Sequence, residues 1–210
     1  MSLCSIHATG VEAGFISPTI QNMGLDMYAH RKIYLQQSEL DQPDERYTVQ
    51  ITKAGKPVEG IQPGRISVIE ERVMYWRKAN HIHAWFVNTV QEGVDECKEH
   101  FVDWDLLIEL QEVCDQVIEA SSLVDGEVIE SIMYDEKNPN GVTHRVPGKV
   151  ISDSTMARKL LPRREGLFFG SYEYNEEYLS EVIRTRDWLT AMLSDSENGV
   201  PGDIYYISSW

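Results

Sequence analysis

The stretch YWRKANHIHAWFVNTVQEGVDEC, residues 75–97, brings together two tryptophans, two histidines, an Arg-Lys pair, two asparagines and a cysteine. No other part of the chain concentrates so many chemically able side chains. Such residues act as general bases, hydrogen-bond donors or stacking surfaces, but they also form the walls of cores. The interpretation of the whole sequence therefore depends on whether this stretch is a site or a core element.

The spacing within this stretch predicts an amphipathic helix. If residues 76–90 are helical, an advance of about 100° per residue places most apolar side chains on one arc. His83 falls within that arc and Asn80 lies at its edge, whereas His81 and Trp85 fall on the opposite side. We therefore predict that His83 is buried and hydrogen-bonded, and that Trp85 points away from the main buried face.

Two interpretations of His83 remain open from the sequence. It is either a core imidazole satisfied by a backbone carbonyl or by Asn80, or a general base or donor that lines a pocket. Trp85 is either a capped surface residue or an anchor for another element, another subunit or a ligand.

The sequence predicts neither a metal nor a cofactor. His81 and His83 are two positions apart, so on a helix they cannot converge on one ion. Cys97 and His100 could join His83 as zinc ligands, but their spacing matches no strong zinc signature. P-loop, dinucleotide-binding, nucleophile-elbow and HExxH motifs are all missing from the sequence.

Five segments predict strands, because they alternate apolar and polar residues or are rich in β-branched and aromatic ones. They are residues 23–35, 46–53, the first half of 65–76, 166–175 and 202–210. With three helices and no regular β-α-β alternation, the sequence predicts an α+β fold with a largely antiparallel sheet.

Two further helices and two irregular segments complete the predicted organisation. Residues 103–120 form the clearest helix, with Asp103 as N-cap and Cys114 on the apolar stripe, and another helix starts near residue 175. Residues 1–22 form an N-terminal arm, and residues 23–210 form a single domain. That domain carries a loop insertion at about 121–155, with a hairpin near Asn140-Gly141.

Charge limits the classes of partner. The chain has 210 residues with a formal charge of -15 and a pI near 4.7, so we expect no direct nucleic-acid binding. The three cysteines have no C-x-x-C spacing, and no apolar run is long enough for a membrane span. We expect a cytoplasmic protein that does not bind or span a membrane.

Several motifs in one order resemble a family of uncharacterised proteins encoded by bacteriophages and prophages. These motifs are MGLDMY at 23–28, YWRKANHIHAWFV at 75–87, GVDEC at 93–97, KLLP at 159–162, FFGSYEYNEEY at 168–178 and YYISSW at 205–210. The family pattern YWRKANxIHxWFV leaves the position of His81 variable. The resemblance thus implies that Arg77, Asn80, His83 and Trp85 matter more than His81, but it implies no reaction.

A ligand site would form if this edge of the helix met the segment SYEYN, residues 171–175. Glu173 could then pair with Arg77 or accept a proton from His83, and Tyr174 would offer a stacking surface. The predicted ligand-binding residues are Arg77, Asn80, His83, Trp85, Glu173 and Tyr174.

Three functions are compatible with these features. The first is a phage accessory protein in the host cell that binds a small polar or anionic ligand or a host protein. The second is an enzyme in which His83 and a carboxylate, such as Asp95 or Glu173, act on a nucleotide-like substrate. The third is an acidic mimic of nucleic acid. We favour binding, because no nucleophile–base pair can be identified from the spacing.

Overall fold

The computed structural model describes residues 24–35, 49–135, 138–166 and 169–210. These residues form an α+β fold, as predicted, and its paired strands are antiparallel. The predicted arm at residues 1–22 lies outside the described residues. The strands are β1 (Asp26–Tyr34), β2 (Thr52–Lys53), β3 (Lys56–Pro57), β4 (Val68–Arg77), β5 (His100–Val102), β6 (Leu123–Asp135), β7 (Asn138–Ile151) and β8 (Asp203–Ser209). The helices are α1 (Asn80–Thr89), α2 (Trp104–Glu119), α3 (Thr155–Leu160) and α4 (Glu176–Glu197).

The main sheet has four strands in the order β4-β1-β8-β5. Because side chains alternate along a strand, one face carries Met27, Trp76 and Tyr206, all with no exposed surface. The Phe86 ring of α1 stacks on Tyr206 with 4.0 Å between centroids, and Trp188 of α4 meets Trp76 edge-on at 5.2 Å. The core therefore lies on this face, beneath α1 and α4.

The helix α1 begins later than the sequence predicts, because β4 continues to Arg77. The chain leaves the strand at Lys78, which has a left-handed φ of 60° and donates its N–H to the Leu25 carbonyl. The predicted helix over residues 76–90 is therefore wrong for residues 76–79.

The predicted polar face of α1 is also wrong. Every residue from Asn80 to Val87 is buried, including His81, and Trp85 is only 8% exposed. Trp85 packs edge-on against Phe86, with 5.2 Å between ring centroids. Periodicity alone cannot reveal an enclosed helix, because neighbouring chain can supply partners to polar side chains on any of its faces.

The helices α2 and α4 match the predicted helices closely. Asp103 caps α2 by accepting from the Asp105 N–H, and Asn175 caps α4 by accepting from the Tyr178 N–H. Cys114 lies in the core as predicted, and burial raises the pKa of its thiol to about 12. Among the described residues, no helix has the length and apolar character needed to cross a membrane.

The segment predicted as a loop insertion, residues 121–155, contains a far longer hairpin than expected. It consists of β6 and β7, which together we call the arm; from here on this name means the hairpin and not residues 1–22. At about 3.3 Å per residue the arm is roughly 40 Å long. Asp135 pairs with Asn138, so Asn140 and Gly141 lie within β7 and not at the turn. Glycines and prolines inside the strands obscure the alternation that would predict them.

Two other predicted strands are corrected. The buried strand predicted at residues 166–175 is wrong for its described residues, which form no strand and only a single bridge between Asn175 and Val150. Gly170 has a φ of 101°, and a Cβ there would lie 2.8 Å from the Lys78 carbonyl oxygen, so only glycine allows this close crossing. The described part of the strand predicted at 46–53 is reduced to the short β2.

Candidate functional site

His83 lies inside the fold and is bonded at both ring nitrogens. It has no exposed surface, its Nδ1 is 2.8 Å from the Tyr206 hydroxyl, and its Nε2 is 3.2 Å from Asp95 Oδ2. The Phe169 ring meets the imidazole edge-on at 5.5 Å. The prediction that His83 is buried and hydrogen-bonded is confirmed, although its partners are Tyr206 and Asp95 and not Asn80.

Asp95 connects His83 to the surface. Its Oδ2 also accepts from Arg164 Nη2 at 3.0 Å, and its Oδ1 accepts from Trp210 Nε1 at 3.1 Å. Burial alone would raise the pKa of Asp95, but the hydrogen bond and charge of His83, with Arg164 and Trp210, lower that pKa below its ordinary value. Asp95 is therefore an anion at neutral pH, and 15% of its side chain is exposed.

Tyr206 remains protonated in this arrangement. Burial raises the pKa of Tyr206 well above its ordinary value, and the charge of Asp95 acts in the same direction. With a hydrogen on Nε2, His83 donates to Asp95, and its Nδ1 shares a hydrogen bond with the Tyr206 hydroxyl. We call these three residues, with Arg164 and Trp210, the His83 network.

His81 faces an arginine instead of a carboxylate. Arg163 Nη1 lies 3.3 Å from His81 Nδ1, and the imidazole packs on the Tyr178 ring at 4.3 Å. Burial, and then the charge of Arg163, lower the pKa of His81 well below its ordinary value. His81 is therefore neutral and accepts from Arg163, while its Nε2 has no hydrogen-bond partner within the described part of the chain.

Arg163 ties α1 to the segment that follows Gly170. Its Nε and Nη2 donate to the Glu173 carbonyl at 3.1 and 2.9 Å, and its guanidinium lies over the Tyr178 ring at 4.9 Å. Burial lowers the pKa of Arg163, although an arginine stays charged at any pH of interest. Arg163 is thus a half-buried cation held by a carbonyl and an aromatic ring.

Asn80 fastens the same segment from the other side. Its side-chain amide donates to the carbonyls of Phe169 and Ser171 at 3.1 and 3.0 Å. The predicted contact between the Asn80 edge of α1 and residues 171–175 is therefore present. It is made to main-chain carbonyls, so it closes the surface and does not leave a groove.

Glu173 holds the arm. Its Oε2 accepts from the Ile129 N–H at 2.7 Å, and its Oε1 lies 3.0 Å from Arg145 Nη1. The predicted pairing of Glu173 with Arg77 is wrong, because Arg77 lies instead 3.7 Å from Asp26. Contacts thus run without interruption from α1 through Arg163 and Glu173 to both strands of the arm.

The six predicted residues do not share one pocket. His83 belongs to its own network, Trp85 is in the core, and Arg77 lies at a corner of the main sheet. The other three surround Arg163, through its guanidinium or its main-chain N–H: Asn80, Glu173 and Tyr174.

Tyr174 extends these contacts towards solvent. Its hydroxyl accepts from the Arg163 N–H at 3.1 Å, and its ring lies 4.9 Å from that of Tyr178. The Arg158 guanidinium covers the Tyr174 ring at 4.4 Å. Arg158 is exposed, and its Nε also donates to Ser154 Oγ at 2.9 Å, so a hydrogen bond and the aromatic face together hold its guanidinium.

Sequence reasoning missed Arg163 and Arg164. These consecutive residues reach opposite sides of α1, one to His81 and the other to Asp95. Successive side chains of an extended chain point in opposite directions, which explains how one dipeptide serves both networks. The sequence signal for their role was an Arg-Arg pair directly after Leu161-Pro162. Leu161 is buried, so it holds the start of the following segment against the core and brings both arginines close to α1.

The His83 network has the chemistry of an acid–base relay, with a carboxylate, an imidazole and a hydroxyl in sequence. A general base must however come within hydrogen-bond distance of its substrate, and neither His83 nor Tyr206 has exposed surface. The described residues also bring His83, Cys97 and His100 into no common ligand group. The arrangement therefore locks α1 in place and offers no open active site.

Comparisons with known proteins do not identify a family for this chain. Neither a scan against protein-family models nor searches of curated proteins and solved structures found a match. The resemblance to bacteriophage proteins therefore stays a prediction, and function rests on geometry and charge.

Proposed function

We propose that this chain is a binding protein whose contact element is the arm and whose partner is a protein with an extended, basic segment. Of the two kinds of ligand considered for a binding protein, a host protein or a small polar or anionic molecule, this proposal selects the protein. The observation that carries it is the exposure of the outer part of the arm, defined as residues 130–133 and 142–145.

Apolar side chains lie uncovered on this outer part. Met133 is 65% exposed and lies opposite Val142, which is 46% exposed, while Ile132 is 44% exposed on the other face of the hairpin. An isolated two-stranded hairpin is marginally stable at best in water, and clustered exposed apolar residues mark surfaces that another chain covers. These features support contact with a partner.

The two edges of the arm differ in their readiness to accept another strand. β7 contains Pro139 and Pro147, which lack the N–H that an added strand requires, whereas β6 contains no proline. In the described part of the chain, β6 pairs with no strand except β7. Because Glu173 already accepts from the Ile129 N–H, the part of the β6 edge beyond Ile129 is the better candidate for strand addition.

Charge specifies the partner further. β6 carries four acidic residues and no basic one: Asp125, Glu127, Glu130 and Asp135. A basic strand laid along this edge would meet complementary charge, and the net charge of -15 would steer a basic partner towards the chain. An acidic strand, or a second β6, would be repelled.

The core holds the arm ready for such contact. Glu173 accepts from Ile129 and pairs with Arg145 near the middle of the arm, and Arg163 fixes the Glu173 carbonyl against α1. A contact element that is already ordered loses less conformational entropy on binding. If the bacteriophage resemblance holds, the partner belongs to the host cell.

The enzyme alternative retains one supporting observation. Asp95 is reachable from solvent and is bonded to His83, so a nucleotide-like substrate could exchange a proton at this carboxylate. His83 itself would act only if Phe169 moved from its ring. This requirement makes catalysis the second candidate.

A peptide titration tests the binding function. The probe is a short synthetic peptide of alternating lysine and valine, and its affinity for the full chain is measured by calorimetry. We expect measurable binding that weakens as salt is added, because opposite charges at a surface are screened. The double variant Glu127→Lys, Glu130→Lys should abolish it.

A matched variant separates local charge from total charge. Glu109→Lys with Glu112→Lys changes the net charge equally, on exposed positions of α2. This control should bind the peptide almost as well as the wild type. Equal loss in both double variants, or binding of an alternating glutamate–valine peptide with the same affinity, would contradict a specific role for β6.

A further inference from the structure

The outer face of the main sheet, opposite the core, carries a cluster that the arm does not use. His30 and Lys32 are two positions apart on β1, so their side chains share this face. Glu70 of β4 and Glu99, just before β5, reach the same place from the two sides. Three separate parts of the chain therefore bring an imidazole, an ammonium and two carboxylates together.

The distances within this cluster suit a metal ion. His30 Nδ1 lies 3.2 Å from Glu70 Oε1 and 3.9 Å from Glu99 Oε1. One ligand atom of each residue lies within 4.8 Å of the others. Ligand atoms about 2.0–2.2 Å from a shared ion stand roughly 3–4 Å apart, so small rotations of the carboxylates complete the geometry.

The ammonium group of Lys32 is a cation that the two carboxylates of this cluster already hold. It pairs with Glu99, lies 3.8 Å from Glu70, and sits over the Tyr205 ring at 4.5 Å. One ammonium balances only one of the two carboxylates. A divalent ion would neutralise both carboxylates and also use the imidazole nitrogen, which an ammonium cannot.

We propose that His30, Glu70 and Glu99 form a binding site for a zinc-type divalent ion, with Lys32 as the cation that the metal displaces. One imidazole with two carboxylates is a donor set that zinc accepts, whereas magnesium and calcium take oxygen ligands almost alone. Three protein ligands leave a coordination position for water or a small ligand. The side chains of His30, Glu99 and Glu70 are 16, 30 and 47% exposed, so an ion can enter from solvent.

Zinc chloride titrated into the full chain by calorimetry tests this site. We expect one zinc ion per chain. His30→Ala and Glu99→Gln should each weaken binding by at least about tenfold, since even indirect partners of metal ligands contribute that much. Lys32→Met should tighten binding severalfold, because it removes the competing ammonium. That gain would not follow from a merely structural change.

Controls exclude other sites and misfolding. His144 forms a His–Glu pair with Glu130 on the arm, and Cys97 is partly exposed. His144→Ala and Cys97→Ser should therefore bind zinc like the wild type, and thermal melts confirm that each variant is folded. Absence of zinc binding, unchanged binding in folded His30→Ala and Glu99→Gln, or no gain in Lys32→Met would each overturn the site.

Discussion

The centre of the molecule and its arm hold their side chains in opposite ways. Around α1, Asn80 and His83 have no exposed surface and are bonded to other protein groups, as His83 is to Tyr206 and Asp95. On the outer part of the arm, Met133 and Val142 face each other across the hairpin and remain exposed. The first region is chemically rich but closed, whereas the second is chemically plain but open.

This difference teaches that a concentration of reactive residue types does not by itself locate a site. Histidine, asparagine and tryptophan are also the residues that let a fully enclosed helix satisfy polar groups within a core. Accessibility and uncovered apolar surface are separate requirements, and the proposed contact surface on the arm meets both. Mutations that affect stability and mutations that affect binding should therefore separate.

The largest difference between the two regions is expected for Trp76→Ala. Trp76 has no exposed surface, donates to Thr185 Oγ1 at 2.8 Å and packs edge-on against Trp188. We expect its removal to lower the free energy of unfolding by about 3–5 kcal/mol. Urea denaturation measures this loss, and a loss below about 1 kcal/mol would mean that the centre is not the core.

A smaller, pH-dependent effect is expected for Asp95→Asn. The folded pKa of Asp95 is lowered, so the carboxylate stabilises the fold above its unfolded pKa, and this contribution is lost as pH falls through the folded pKa. At neutral pH the variant should lose about 1.5–3 kcal/mol, the range for hydrogen bonds to a charged group. The gap from the wild type should narrow below about pH 4.

Urea denaturation across this pH range provides the measurement for Asp95→Asn. A gap that stays constant down to low pH would show that charge is not what stabilises the His83 network. A gap that widens on acidification would contradict the direction of the pKa shift.

A still smaller effect is expected where the two regions meet. Glu173→Gln removes the ion pair with Arg145, which is 44% exposed, but leaves an oxygen for the Ile129 N–H. We expect a loss below about 1 kcal/mol. Glu173→Ala should cost about 1 kcal/mol more, because the Ile129 donor then loses its partner. Equal unfolding free energies for the two variants would argue against the anchoring role of Glu173.

The smallest effect on stability is expected on the arm. Met133→Ser should change the free energy of unfolding by less than about 0.5 kcal/mol, because its side chain contributes little to the folded core. The same variant should weaken binding of the lysine–valine peptide. A stability loss comparable to that of Trp76→Ala would instead place Met133 within the core.

Much of the fold follows from the sequence because local signals and burial agree. β1 and β8 alternate, and Asp103 and Asn175 cap helices whose apolar stripes face the core. The burial of His83 follows from the apolar arc of α1. The fully buried His81 does not, because its partner Arg163 is 82 residues away in the chain.

The arm and the position of Glu173 could not be predicted for related reasons. Gly126 and Gly148 face each other in the arm, and Val128 and Val150 pack over them, so strand signals are interrupted where glycine is sterically required. Glu173 meets Ile129 and Arg145 through tertiary contacts that no spacing encodes. Local sequence patterns specify the helices and strands. Which faces of α1 are buried is decided by residues that are distant in the sequence.

Chemical-shift mapping by NMR during the lysine–valine peptide titration tests most directly whether the arm and not the centre is the contact surface. Binding at the arm predicts that amide signals of residues 129–133 on β6 shift progressively, while those of His83 and Asp95 stay in place. Shifts concentrated at His83, Asp95 and Trp210, with β6 unchanged, would contradict the account and return the function to the centre.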